Sequence, residues 1–287
     1  MLTNIESYHR PQSVEETVKL LSEDEGRVIL AGGTRLIPDE IRDYKEVVDI
    51  QELPLEGLEF SDDTLTIGSL SRIADIQKNE DLDTYNLSVL RKAALDRPSQ
   101  LKRNQSTIGG ELVSSEGGSE LATVLLALDA QLNVRGPEGE RTMELSELYA
   151  GDGTVTLDPA EIITSIYLPL PDEDDHIYYR RLSRTHNDIS LVNFAFYGRP
   201  NGQGFERTRI AVGGVDDRNR RMPKTEAFAE TVDVSDNELK QELAVPLEGD
   251  VDFQDDFRAS AEYRMDVLKV FVKRALIQEE GVEDPFK

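Results

Sequence analysis

Ala31-Gly32-Gly33-Thr34-Arg35-Leu36 and Thr107-Ile108-Gly109-Gly110-Glu111-Leu112 are two short stretches that decide how this chain reads. Each sits beside an apolar segment, and each joins a Gly-Gly pair to a threonine. Glycine reaches φ > 0 at little cost and lets backbone approach a ligand that a Cβ would exclude. Successive backbone N–H groups at such a turn form a nest suited to phosphate oxygens. Either loop alone reads as a structural turn. Together they predict a diphosphate-bearing group held from two sides.

Around the first loop, Ser13 and Glu16 form a capping box that opens a helix carrying Val18 and Leu21 on one face. Arg27 to Ala31 reads as a short buried strand ending at the loop, and Val47 to Ile50 as another. A Rossmann unit is excluded, because G-x-G-x-x-G is absent and Pro38 follows the loop closely. Leu58–Phe60 and Leu65–Ile67 flank a turn at Ser61-Asp62-Asp63, which predicts a hairpin. Helices are expected from Arg72, over Leu87 to Leu95 before Pro98, and over Leu121 to Leu128. Gly136-Pro137-Glu138-Gly139 turns a second hairpin, and Ile162 to Leu168 is a strand. The charged, proline-led run Pro171 to Asp175 marks a boundary. Strands over 177–182, 189–197 and 207–215 follow it, then a long helix from Ser260 with Met265, Leu268, Val272, Ala275 and Leu276 on one face.

The composition narrows the chemistry. A net charge of −25, spread along all 287 residues, disfavours nucleic acid as a partner. Acidity dispersed in this way resembles adaptation to high salt, where screening removes self-repulsion. No apolar run is long enough to span a bilayer, and the N-terminus lacks the pattern of a secretory signal, so a cytoplasmic protein is expected. With no Cys, the chain cannot offer thiolate catalysis or hold a Cys-ligated iron–sulfur cluster. The three His show no metal-ligand spacing, and no nucleophile motif is present. The chemistry, if this is an enzyme, belongs to a cofactor.

Several motifs, in this order, resemble the FAD-binding medium subunits of molybdenum hydroxylases, the group containing carbon monoxide and xanthine dehydrogenases. They are Tyr8, Arg10-Pro11, Ser13 and Glu15-Glu16; Ala31 to Thr34; Gln100, Arg103-Asn104 and Thr107 to Gly110; Leu125 to Ala130; Tyr179-Arg180, Arg184 and Asp188-Ile189; Ile210 to Val215; Ser260 with Tyr263-Arg264; and Arg274 to Leu276. The resemblance implies an α+β fold. A PCMH-type FAD-binding domain over 1–170, with subdomains of about 1–54 and 55–170, would precede an α+β C-terminal domain over 176–280, built of an antiparallel sheet plus helices.

It implies FAD as cofactor and an electron-transfer role. Electrons would reach this chain from iron–sulfur clusters on a small subunit, supplied by a molybdopterin-binding large subunit, and leave to an external acceptor. The cofactor-binding residues implied are Ala31, Gly32, Gly33, Thr34, Arg35, Leu36, Thr107, Ile108, Gly109, Gly110, Glu111, Glu120, Ile163, Tyr179 and Arg180, with no catalytic residue or metal ligand. Tyr179 would cover a flavin face and Arg180 would lie near the isoalloxazine. For Tyr178 and Tyr179 strand packing is the competing reading, and for Arg180, Arg181 and Arg184 it is a solvated or ion-paired strand position.

Two departures stand out. Glu111 replaces the family's usual Asn after the second Gly-Gly, and Arg35 replaces a Ser or Asp in the first loop, which suggests that the two compensate as an ion pair. Residues 113–119 lack the family's usual Pro. An FAD-free structural subunit and a stand-alone FAD oxidoreductase remain as alternative functions.

Overall fold

The computed structural model describes residues 5–35, 44–97, 99–114, 117–149, 155–202, 204–233 and 239–278, with Lys240 described in its backbone only. The described residues form two compact units that interleave along the chain. One combines the chain up to Asn79 with Arg97–Ser115 and Asp129–Leu170. The other combines Glu80–Asp96, Glu116–Leu128 and the chain from Pro171 onward.

The first unit holds two sheets. Strands β1 (Ser7–His9), β2 (Arg27–Leu30) and β3 (Glu46–Asp49) form a parallel sheet in the order β1-β3-β2. The helix Val14–Glu23 packs beside it, capped by Ser13, whose hydroxyl accepts from the Glu16 N–H. The Glu16 carboxylate reaches back one residue further than a standard capping box and accepts from the Gln12 N–H at 2.7 Å. Leu21, Val48, Ile50, Leu53, Leu70 and Ile162 form one buried apolar cluster. The second sheet is antiparallel throughout. It contains β4 (Leu58–Phe60), β5 (Thr64–Gly68), β6 (Gln131–Gly136), β7 (Gly139–Glu144) and β8 (Ile162–Pro169), in the order β4-β5-β8-β6-β7. Both predicted hairpins occur, turning at residues 61–63 and 137–138.

The second unit is a four-stranded antiparallel sheet covered on both faces. Its strands are β9 (His176–Leu182), β10 (Val192–Pro200), β11 (Phe205–Gly213) and β12 (Arg220–Arg221), in the order β12-β11-β10-β9. Side chains alternate across a strand. Val192, Phe194 and Phe196 therefore enter a core with Leu268, Phe271 and Val272 of the helix Ala261–Leu276. The intervening Asn193 meets the helix Glu120–Ala127 on the other face, where its amide oxygen accepts from the Thr123 hydroxyl. That helix is buried along its whole length, between the sheet and the helix Ser88–Asp96.

Strand β10 starts at Val192, three residues later than the sequence suggests. The Arg181 guanidinium donates to the carbonyls of His186 and Asp188 and so holds that segment in a loop. The C-terminal helix is capped by the Ser260 hydroxyl, as its sequence implies. Arg264, part of the motif Ser260 with Tyr263-Arg264, is fully buried and donates to the carbonyls of Leu191 and Gly214. The presumed linker also contributes structure. Asp175 is buried, accepting from the Tyr197 hydroxyl at 2.7 Å and from Arg199 at 2.9 Å.

Candidate cofactor site

The first glycine loop leaves the C-terminal end of β2, where a parallel sheet exposes chain ends to a crevice. Gly33 sits at φ 67°, a conformation open chiefly to glycine. Among the described residues, nothing accepts from the N–H groups of Gly32, Gly33 and Thr34. The loop therefore carries three successive donors that a ligand could take up. Gly32 is glycine for a different reason than a ligand's approach. A Cβ there would strike the Gln105 carbonyl and lie 3.1 Å from the Ser106 Cα. The two glycine loops are thus packed against each other, and the Thr34 and Ser106 hydroxyls share a 2.9 Å hydrogen bond.

The second loop does not form a nest. Thr107 caps the short helix Ile108–Val113, and its Oγ1 accepts from the Gly110 N–H at 3.2 Å. The Ile108 and Gly109 N–H groups donate to the carbonyls of Ser71 and Ser69, at 3.0 and 2.8 Å. The Glu111 N–H donates to the Thr107 carbonyl at 2.9 Å. Gly109 is small because a Cβ would lie 2.9 Å from Ser69. The two loops therefore differ: the Gly32 to Thr34 amides have no acceptor among the described residues, while those of Ile108 and Gly109 go to the chain leaving β5 and those of Gly110 and Glu111 go to Thr107.

A cavity of about 520 Å³ opens between the loops. Of the residues expected at a cofactor, Ala31, Gly32, Gly33, Thr34, Arg35, Thr107, Gly109, Gly110, Glu111 and Ile163 line it. Ile108 is fully buried and is absent from the lining. Leu36 lies outside the described residues, as do Ser115 and Glu116 of the altered segment 113–119. Sequence reading did not single out Arg27, Tyr44, Arg97 or Glu161, which also line the cavity.

The charge at Glu111 is met by Arg97. Its Nη2 lies 3.1 Å from Glu111 Oε2, and the carboxylate is 3% exposed. Sequence reasoning set Arg35 in this role and missed Arg97, which lies fourteen positions upstream with no local signal. The Tyr149 hydroxyl, buried close by, donates to the Leu112 carbonyl at 3.0 Å. Burial, and after it the Glu111 charge, pushes that phenol far above its ordinary range.

Glu120, Tyr179 and Arg180 belong to the second unit. The buried Glu120 carboxylate pairs with Arg181 at 2.8 Å and accepts from the Ser190 hydroxyl. Tyr179 donates to Asp96 at 3.0 Å, and burial, then the nearby acidic charges, holds its hydroxyl well above ordinary. Arg180 lies over the Tyr178 ring, 5.6 Å from its centroid, while Tyr178 is part of the apolar core.

The family model for the FAD binding domain in molybdopterin dehydrogenase matches residues 3–171, and that for the CO dehydrogenase flavoprotein C-terminal domain matches 177–278. The chain belongs to this molybdenum hydroxylase flavoprotein family. It is an oxidoreductase subunit, and its cofactor is FAD. The chain is 30% identical to the alpha subunit of the 6-hydroxypseudooxynicotine dehydrogenase complex of Paenarthrobacter nicotinovorans, covering 92% of this chain and 90% of that one. It is 28% identical to the glyceraldehyde dehydrogenase medium chain of Sulfolobus acidocaldarius, covering 94% and 96%. A solved carbon monoxide dehydrogenase from Hydrogenophaga pseudoflava contains a chain that superposes with a TM-score of 0.88 at 25% identity, covering 97% of this chain and 98% of that one.

The residues present fit this cofactor. FAD carries a diphosphate, and Gly32 to Thr34, whose amides have no acceptor among the described residues, line the cavity and could meet such oxygens. Among the described residues, no helix is long and apolar enough to cross a membrane.

Proposed function

We propose that this chain is the FAD-carrying electron-transfer subunit of a molybdopterin-dependent dehydrogenase or hydroxylase complex. It would take electrons from iron–sulfur clusters on a small subunit and deliver them to an external acceptor, while a large subunit oxidises the substrate. The observation that carries this reading is the match, over nearly the whole length of both chains, to proteins named as medium chains or complex subunits. The absence of Cys supports it, since clusters held by thiolates must lie on another chain.

In this reading the Gly32, Gly33 and Thr34 amides bind the cofactor diphosphate, and Thr34 and Ser106 hold the loops at a fixed separation. Ile163 supplies apolar wall, and Thr107 fixes the second loop through its cap. Bound FAD supplies a ring that accepts and passes on electrons. The protein's part is to hold it, aim it and shape its access.

Expression of the chain with its neighbouring reading frames tests this. A three-subunit complex containing flavin, iron–sulfur and molybdopterin, whose flavin bleaches when substrate is added, is the expected result. A chain that purifies alone with flavin and turns over substrate unaided would overturn the assignment.

A further inference from the structure

Four successive amides of the second glycine loop, from Ile108 to Glu111, donate within the protein, so added grip on an anionic cofactor from that stretch would come from a side chain. Of the charged residues that line the cavity, Glu111 belongs to that loop and Arg97 pairs with it. The Glu111 side chain is 3% exposed and that of Arg97 18%, with 3.1 Å between Oε2 and Nη2. The backbone at Arg97 is itself pinned. Its carbonyl accepts from Arg103 Nη1 at 2.6 Å, and the buried Arg103 also donates to Gln77 and Gln100, both at 2.8 Å.

Resting on the reading that FAD occupies this cavity, we propose that Arg97 is the cationic ligand of the cofactor diphosphate and that Glu111 is its positioning residue. A guanidinium carries five N–H donors in a rigid fork, so one edge can meet a carboxylate while another meets phosphate oxygens. A buried carboxylate behind the guanidinium fixes the direction of that fork. The negative charge that the sequence places beside an anionic cofactor then becomes the group that aims a positive one. The competing account is that Arg97 only neutralises Glu111 to stabilise the start of the helix Ile108–Val113.

Fluorescence titration of the full-length, flavin-stripped chain with FAD separates the two. The variants are Arg97→Met, Arg97→Lys, Glu111→Gln and the double Arg97→Met/Glu111→Gln. The double variant leaves no unpaired buried carboxylate, so it tests the idea even if Arg97→Met alone fails to fold. Arg97→Met and the double variant are expected to weaken FAD binding about 10- to 100-fold, the worth of a charge-assisted hydrogen bond. Arg97→Lys should fall between them and the parent, and Glu111→Gln, which keeps an acceptor for the fork but loses the charge that aims it, should weaken binding by more than about threefold but less than Arg97→Met does; parent-like binding by Glu111→Gln overturns the positioning role. Parent-like binding by the double variant overturns the proposal alone. A parent chain that binds no FAD overturns the cavity assignment and the proposal with it.

Discussion

The Thr34 hydroxyl lies 2.9 Å from that of Ser106, so residues 72 positions apart join the two glycine loops at the mouth of one cavity. Neither side chain depends on a neighbour in sequence for this. The bond exists because β2 and the chain leaving β5 deliver the loops to the same place. Thr34→Val keeps the shape and removes the hydroxyl. It is expected to cost about 1 kcal/mol of stability and to weaken FAD binding measurably. Urea unfolding with and without FAD checks both effects.

Gly32→Ala should do more harm than its size suggests. The added methyl meets the Gln105 carbonyl, which is backbone and cannot swing aside. The loops must separate, at a cost of about 1–3 kcal/mol or more. Flavin content after purification is the simplest readout, and the account predicts a chain that folds but emerges depleted of FAD. Gly139→Ala is the contrasting case. It is strained by φ 121°, but nothing lies within 4 Å of its Cβ position, and it should leave flavin content unchanged.

The Glu120–Arg181 pair is a structural element of the second unit, with side chains 5% and 7% exposed. Arg181→Met strands a buried carboxylate and removes the donors that hold the His186 and Asp188 carbonyls. A loss of about 3–5 kcal/mol is expected from denaturant unfolding. Pairing Arg181→Met with Glu120→Gln should recover part of it, and no recovery would show that the loop contacts dominate.

Acid stability has a definite source at Glu161. The two hydrogen bonds from Arg141, at 2.7 and 2.8 Å, draw its carboxyl below the ordinary glutamate range, against an opposing effect of burial. A lowered folded-state value means that the stabilisation is present above the unfolded glutamate pKa and is lost as pH falls through the folded one. Arg141→Gln should therefore flatten the acid limb of a melting-temperature profile below about pH 4.5, relative to the parent. An unchanged limb would assign acid sensitivity to other carboxylates.

Much of the fold was readable locally, because the signals act over a few residues. Ser13 with Glu16, Ser260 before the last helix, and the turn at Gly136 to Gly139 each specify their own element. The parts that were not readable all involve distant partners. Gly32 looks like a ligand-approach glycine, yet its Cβ space is filled by Gln105. Arg264 carries no local sign of burial, yet it is buried and donates to two carbonyls. The helices Ser88–Asp96 and Glu120–Ala127 lie in chain order among the elements of the first unit but pack with the second. At the site, the loops themselves were legible, while Arg97 as the partner of Glu111 was not, since only the folded chain brings the two together.

The dispersed excess of acidic residues carries its own prediction. At −25 the chain repels itself at low ionic strength. Screening to about 3 Å at molar salt should raise the melting temperature steadily between about 0.1 M and about 2 M KCl. A flat or falling profile would mark the acidity as incidental to stability.

The most direct measurement of the central claim is a crystal structure of the chain with FAD bound. The account predicts the diphosphate against the Gly32, Gly33 and Thr34 amides, within hydrogen-bond distance, in the cavity between the two loops. A cofactor seated elsewhere, or a diphosphate out of reach of those amides, would contradict it.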